Sequence, residues 1–117
     1  MKDEILHITQ LLDSALSENL YHALIQQLNK DLLLTNLHFV VPENCKPAIL
    51  LEELNRFVSE LVNNDFDTFL NLLYRIDLSE NILIKLPKDN QEEYISSISF
   101  LILKREWEKV WFRKKYS

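Results

Sequence analysis

The sequence has no glycine and few other residues that turn a chain sharply. Its 117 residues include three prolines and one cysteine. Loops that cradle phosphate groups use glycine, because it lets the backbone approach a ligand closely and adopts positive φ without strain. A P-loop, a GxGxxG dinucleotide motif and a GxSxG nucleophile turn are therefore excluded in their usual forms. Tight hairpins also favour glycine, so its absence favours helices over sheet.

Long apolar runs and paired cysteines are also missing. Cys45 is the one cysteine, so no intrachain disulfide can form, which suits a reducing compartment. The chain does not open with a basic region followed by an apolar run, as a secretory signal would. Its longest apolar runs, such as Phe100 to Leu103, are far too short to span a bilayer. We predict a cytoplasmic protein.

The composition is that of one globular domain. Hydrophobic residues make up 47% and charged residues 26%, so wholesale disorder is not expected. A chain of this length can bury a core without disulfides or metal ions. We predict a single helical domain over residues 1–117.

Apolar residues recur at helical spacing along most of the chain. Between these apolar segments lie residues that typically begin a helix. They are Ser17, Asp65 and Asp77 as N-caps, Pro47 in a first turn, and Asn90 before a long final helix. We predict a connector over residues 36–41 and a short helix that ends at Pro87. The predicted fold class is all-α, a single compact domain of five or six helices with a long C-terminal helix.

One stretch carries a family resemblance. The run Leu-Tyr-Arg-Ile-Asp-Leu-Ser-Glu, Leu73 to Glu80, resembles a family of small uncharacterised bacterial all-α proteins in which a helix ends in a similar run. The resemblance implies a helical fold and carries no assigned function. Within it, Arg75 suits a helix C-terminus and Asp77 suits a cap, so neither needs a catalytic role.

The candidate catalytic and metal-binding residues form no complete set. Glu4 and His7 have the ExxH spacing of di-iron helical bundles, but the chain has no second ExxH. Cys45 and His38 share a loop, and such a pair can act as nucleophile and base, yet no third residue is singled out to orient the histidine. We predict no catalytic residue, no metal site and no cofactor.

The last fourteen residues, from Lys104 to Ser117, are the most distinctive segment. They carry six basic and two acidic residues, a net charge of +4, whereas residues 1–103 carry seven basic and sixteen acidic residues, a net charge of −9. Cations near a helix C-terminus are favourable, so the charge run is compatible with a solvated helix end.

The final helix also has two apolar stripes. The first includes Ile98 and Leu101, which we predict to face the core. We predict that the second stripe forms a partner interface, and its residues are Phe100, Leu103, Trp107, Val110 and Trp111. The predicted function is a non-catalytic protein–protein interaction module, most simply a homodimer. Antiparallel pairing would set basic tails against acidic bodies.

Two alternatives come from other classes of protein. The tail could bind nucleic acid or an anionic membrane, although the acidic body would repel phosphate and makes both partners less favoured. Its possible anion contacts are Lys104, Arg105, Lys109, Arg113, Lys114 and Lys115. The chain could instead be an enzyme with an unrecognised site, which would require at least three ionisable side chains lining one cavity.

Overall fold

The computed structural model describes the backbone of residues 2–35 and 40–116 and the side chains of residues 10–35 and 40–116. Its helices are α1 (Lys2–Ser17), α2 (Tyr21–Leu34), α3 (Pro47–Asn64), α4 (Phe66–Ile76), α5 (Asn81–Lys85) and α6 (Gln91–Tyr116). These ranges contain no strand. The all-α prediction is confirmed, with six helices and a long C-terminal one. Most of the predicted connector, residues 36–39, lies outside the described part.

Three predicted helix starts are confirmed. Pro47 is the first residue of α3, where its missing N–H costs nothing. The Asp65 carboxylate accepts a hydrogen bond from the Thr68 backbone N–H at 3.3 Å and caps α4. Asn90 caps α6 in the same way, because its Oδ1 accepts from the Glu93 N–H at 3.1 Å.

Two predicted caps are wrong. Ser17 is the last residue of α1, and its hydroxyl donates to the Ser14 carbonyl at 3.1 Å. Asp77 ends α4 instead of starting α5, which begins at Asn81. The physical reason is its backbone conformation: an N-cap residue is usually extended, whereas Asp77 is left-handed with φ 70°.

Asp77 occupies the left-handed position that glycine usually occupies at the C-terminal end of a helix. The Leu78 N–H donates to the Leu73 carbonyl at 2.8 Å, and the Asp77 N–H donates to the Tyr74 carbonyl at 3.1 Å. This pair of bonds is a Schellman motif, which needs a left-handed residue. Asn19, with φ 59°, makes the same turn at the end of α1. Asn and Asp tolerate this conformation best after glycine.

Helix α6 is the centre of the molecule, since it packs against α1, α2, α3 and α4. It runs antiparallel to α2: Lys109 contacts Asp31, whereas Lys114, further along α6, contacts Glu18, which precedes α2. Ile98 is buried as predicted, and Leu101 is half-buried. The largest fully buried side chains include Leu24, Ile25, Leu28, Leu50, Leu54, Phe69, Leu72, Ile76, Ile98, Ile102 and Leu103.

Candidate functional site

The stripe that we predicted to face a partner is mostly core. Leu103 and Val110 are 0% and 4% exposed, and Phe100 and Trp107 are half-buried against the core. Their burial corrects the interface prediction for most of the stripe, because α6 packs against four other helices of the same chain. Of the five predicted residues, Trp111 alone is exposed, at 38%.

An open groove of about 920 Å³ lies beside Trp111, between α2 and the C-terminal half of α6. The indole of Trp111 and the ring of Phe112 supply its apolar wall. Its other lining residues are Gln27, Lys30, Arg105, Glu108, Lys109 and Arg113. Four of these eight side chains are cationic and one is acidic, so the groove is locally positive in a chain whose net charge is −5.

Some basic residues of the tail bind side chains of the same chain closely, and others do so only weakly. Lys109 Nζ lies 3.0 Å from Asp31 Oδ2, and Arg113 donates a hydrogen bond to Gln27 Oε1. Arg105 is only loosely paired, because its nitrogens lie 3.8 Å from Asp77 Oδ2 and 3.9 Å from Glu108 Oε1. Both distances exceed that of a hydrogen bond.

The remaining predicted anion contacts lie toward the solvent. Lys104 and Lys115 are exposed, and the Lys115 ammonium lies 4.7 Å from the centre of the Trp111 ring, a cation–π contact. Lys114 Nζ donates to the Glu18 carbonyl at 3.4 Å. Of the six cations, Lys109 and Arg113 are thus engaged with side chains of α2, and Lys104 and Lys115 are exposed.

A buried polar cluster lies behind the groove. Asp31 is 4% exposed and Glu106 is 0% exposed, and the Lys109 ammonium lies 3.0 Å from the first carboxylate and 3.4 Å from the second. Gln27 Nε2 donates to Asp31 Oδ2 at 3.2 Å, and Arg113 holds the other end of the Gln27 amide. The cluster thus joins α2 to α6 through hydrogen bonds and ion pairs.

Glu106 is protonated at neutral pH. Burial raises the pKa of its carboxyl to about 9, the neighbouring Asp31 carboxyl raises it further, and Lys109 opposes both effects. Neither Glu106 oxygen has a hydrogen bond of good geometry in the described part of the chain, although Lys109 Nζ lies 3.4 Å from Oε1. A protonated Glu106 avoids a buried charge and can donate a hydrogen bond toward Asp31.

Sequence reasoning missed this cluster, although a signal was present. Gln27 and Asp31 fall four residues apart within the apolar face of α2, and Glu106 falls on the seam between Leu103 and Val110. Acidic residues are almost never fully buried without a partner. An acidic residue within the apolar face of α2 and another within that of α6 therefore indicate that the two faces pack together around a basic residue.

Of the four residues weighed for nucleophilic catalysis or metal binding, the structure describes the side chain of Cys45. Cys45 is half-buried, its carbonyl accepts a hydrogen bond from the Tyr21 hydroxyl at 2.8 Å, and burial raises the pKa of Tyr21. His38 and the side chains of Glu4 and His7 lie outside the described part. Within it, no group of His, Cys, Asp and Glu residues could hold a metal ion.

The structure and the comparisons define a class of protein and no family. No helix in the described part of the chain could cross a membrane. No protein family, curated protein or solved structure matches the chain. The resemblance of Leu73 to Glu80 to a bacterial family therefore stays a prediction. Over residues 2–35 and 40–116, the chain forms six helices with an aromatic and cationic groove at the end of the longest one.

Proposed function

We propose that the protein is a non-catalytic protein–protein interaction module whose binding surface is the groove between α2 and α6. The observation that carries this proposal is the pairing of exposed aromatic rings with cations in one open depression. Trp111 and Phe112 are 38% and 60% exposed, in a helix whose other large apolar side chains are mainly covered. Tryptophan and arginine contribute most to binding at protein interfaces.

The charge of the groove favours a different partner over a second copy. A two-fold contact through this groove would bring two positive surfaces together, and like charges across an interface are costly. The charge argument for antiparallel pairing of two copies, with the basic tail of each against the acidic body of the other, is also weakened. Within one chain, Lys109 already pairs with Asp31 and Arg105 lies near Asp77.

An enzyme is the second candidate, and one observation favours it. Five ionisable side chains line the groove, which meets the criterion of three set from the sequence. The groups best suited to acid–base chemistry are Asp31 and Glu106, but they are 4% and 0% exposed. A catalytic acid or base must reach the substrate within hydrogen-bond distance, so the geometry favours binding over catalysis.

Site-specific photo-crosslinking tests the proposed function. A benzophenone side chain would replace Trp111 in one variant and Tyr74 in a matched control, since Tyr74 is 80% exposed on α4, outside the groove. We expect position 111 to yield a discrete product in the source cells and position 74 to yield none. The product should be lost when Phe112 is also changed to Glu.

The mass of the product identifies the partner class. A product of two 14.0 kDa chains would identify a second copy and restore the homodimer. If positions 111 and 74 give the same products, or if the Phe112→Glu change has no effect, the groove is not the binding surface.

A further inference from the structure

We infer that the groove takes an acidic segment of another protein, in which a carboxylate and a large apolar side chain lie on one face. This inference rests on the proposed function and names its partner chemistry. It is carried by two kinds of side chain in the groove lining, the cations Arg105 and Lys30 and the aromatic rings of Trp111 and Phe112.

The buried cluster decides which cations can meet a ligand. Lys109 is held by Asp31 and Glu106, and its side chain is 17% exposed. Arg113 is held by Gln27. Lys109 therefore has little bonding capacity left for a ligand, whereas Arg113 is oriented by its bond to Gln27 and keeps other donors.

Arg105 and Lys30 keep their hydrogen-bond donors for a ligand. Arg105 makes no hydrogen bond to the described residues, and its ion pairs, at 3.8 and 3.9 Å, are weak. Lys30 is exposed and has no ion pair within the described residues. A carboxylate suits Arg105, because the planar guanidinium can donate two parallel hydrogen bonds to its two oxygens.

The spacing between Arg105 and Trp111 sets the ligand pattern. Arg105 and Trp111 are six residues apart on α6, which corresponds to about 9 Å along the helix axis. A helical ligand would cover this span with residues about seven apart, which lie on the same face. Glu and Phe at positions i and i+7 therefore match the groove.

A protein segment fits this surface better than a nucleic acid does. The groove offers few available cations, and residues 1–103 carry a net charge of −9, which would repel a phosphate backbone extending beyond the groove. A single carboxylate beside an apolar side chain requires no such continuous positive surface.

Fluorescence anisotropy with designed peptides tests the inference. The probe is a fluorescein-labelled helical peptide of alanine and glutamine that carries Glu and Phe seven residues apart. One matched peptide has Lys in place of Glu, and a second carries Glu and Phe on opposite faces. We expect the full-length protein to bind the first peptide at least about tenfold more tightly than either control, a difference of about 1.4 kcal/mol.

Charge variants of the protein locate the site. Lys30→Glu combined with Arg105→Gln should remove the preference for the acidic peptide. The matched control, Lys85→Glu with Lys88→Gln, makes the same net charge change at two exposed cations outside the groove and should keep the preference. Circular dichroism would confirm that each variant retains the helical signal of the wild type.

The outcomes separate this inference from the proposed function. Equal binding of all three peptides, no binding of any, or unchanged binding by the Lys30 and Arg105 variant would overturn the acidic partner. The interaction module would still stand if position 111 gives its discrete crosslink. Displacement of the acidic peptide by a single-stranded oligonucleotide at physiological salt would assign the groove to nucleic acid and also overturn the inference.

Discussion

Glu106 is the residue that departs furthest from simple hydrophobic patterning. It lies on an apolar seam of α6, and its side chain is fully buried. An isolated buried carboxylate would be very costly, so the protein keeps this group protonated beside Asp31 and Lys109. The result is a buried cluster in which the Lys109 ammonium lies within 3.4 Å of both acidic side chains.

The raised pKa of Glu106 predicts a pH-dependent stability. The pKa rises from 4.5 to about 9 on folding, so the folded chain binds more protons than the unfolded chain between these values. The contribution of Glu106 protonation to the free energy of unfolding is fully present below about pH 4.5 and is lost as the pH rises toward 9. We expect Glu106→Gln to gain stability relative to the wild type across that interval, measured by urea unfolding at several pH values.

The matched control for this experiment is Glu92→Gln, which removes an exposed carboxylate from the first turn of the same helix. It should leave the pH profile of the wild type unchanged. A Glu106→Gln profile parallel to that of the wild type would show that Glu106 does not hold the proton.

At the scale of elements, the helix ends show how the chain does without glycine. Asn19 and Asp77 are its left-handed residues in the described part, and both close Schellman motifs. The cost of φ > 0 is smaller for Asn and Asp than for other non-glycine residues, but it is still a cost. The chain therefore carries two positions where its local sequence is not optimal.

Substitutions at Asp77 test this account. Asp77→Gly should hold stability or raise it by about 0.5 kcal/mol, because glycine adopts the left-handed region without strain. Asp77→Val should lower stability by about 1–2 kcal/mol, because a branched side chain is strained there. Chemical unfolding measures both. Equal stability of the Gly and Val variants would contradict the left-handed assignment.

Helix α6 makes a second prediction at this scale. Changing Trp107 and Val110 together to Glu should abolish the helical signal, because the second is 4% exposed and unpaired buried charge is costly. Changing Trp111 and Phe112 together to Glu should preserve it. Circular dichroism with light scattering compares the two double variants. A folded monomer from the Trp107 and Val110 variant would instead restore the predicted partner stripe.

At the scale of the molecule, the charge separation of the sequence is partly cancelled by the fold. The basic C-terminal half of α6 lies against α2 and Glu18, so Lys109 meets Asp31 and Lys114 reaches the Glu18 carbonyl. The two oppositely charged parts of the chain thus meet within one molecule. What remains positive is the groove, where Arg105 and Lys30 still face solvent.

The central position of α6 predicts one cooperative unfolding transition. Since this helix packs against α1, α2, α3 and α4, no half of the chain keeps its core when α6 leaves. Far-UV circular dichroism reports all helices, and fluorescence of a Trp111→Phe variant reports Trp107 alone. We expect the two urea transitions to coincide. Separate midpoints would contradict the single domain predicted over residues 1–117.

The sequence by itself determined the helical class and several helix starts. The absence of glycine, the 3.6-residue periodicity, and the local chemistry of Pro47, Asp65 and Asn90 act within a few residues of where they are read. Such local signals need no knowledge of what packs against them. Asp77 and Ser17 were misassigned because the same residue types also suit helix ends, and only backbone conformation separates the two roles.

Only the tertiary structure decided that the predicted partner stripe of α6 is mostly core, and where the candidate site lies. A stripe on α6 looks the same whether its cover is another helix or another protein, and here α6 packs against four other helices of the same chain. Likewise, Asp31 and Glu106 are 75 positions apart in the sequence. Their common contact with Lys109 and the groove beside them exist because antiparallel packing brings α2 against α6, a contact that no local pattern encodes.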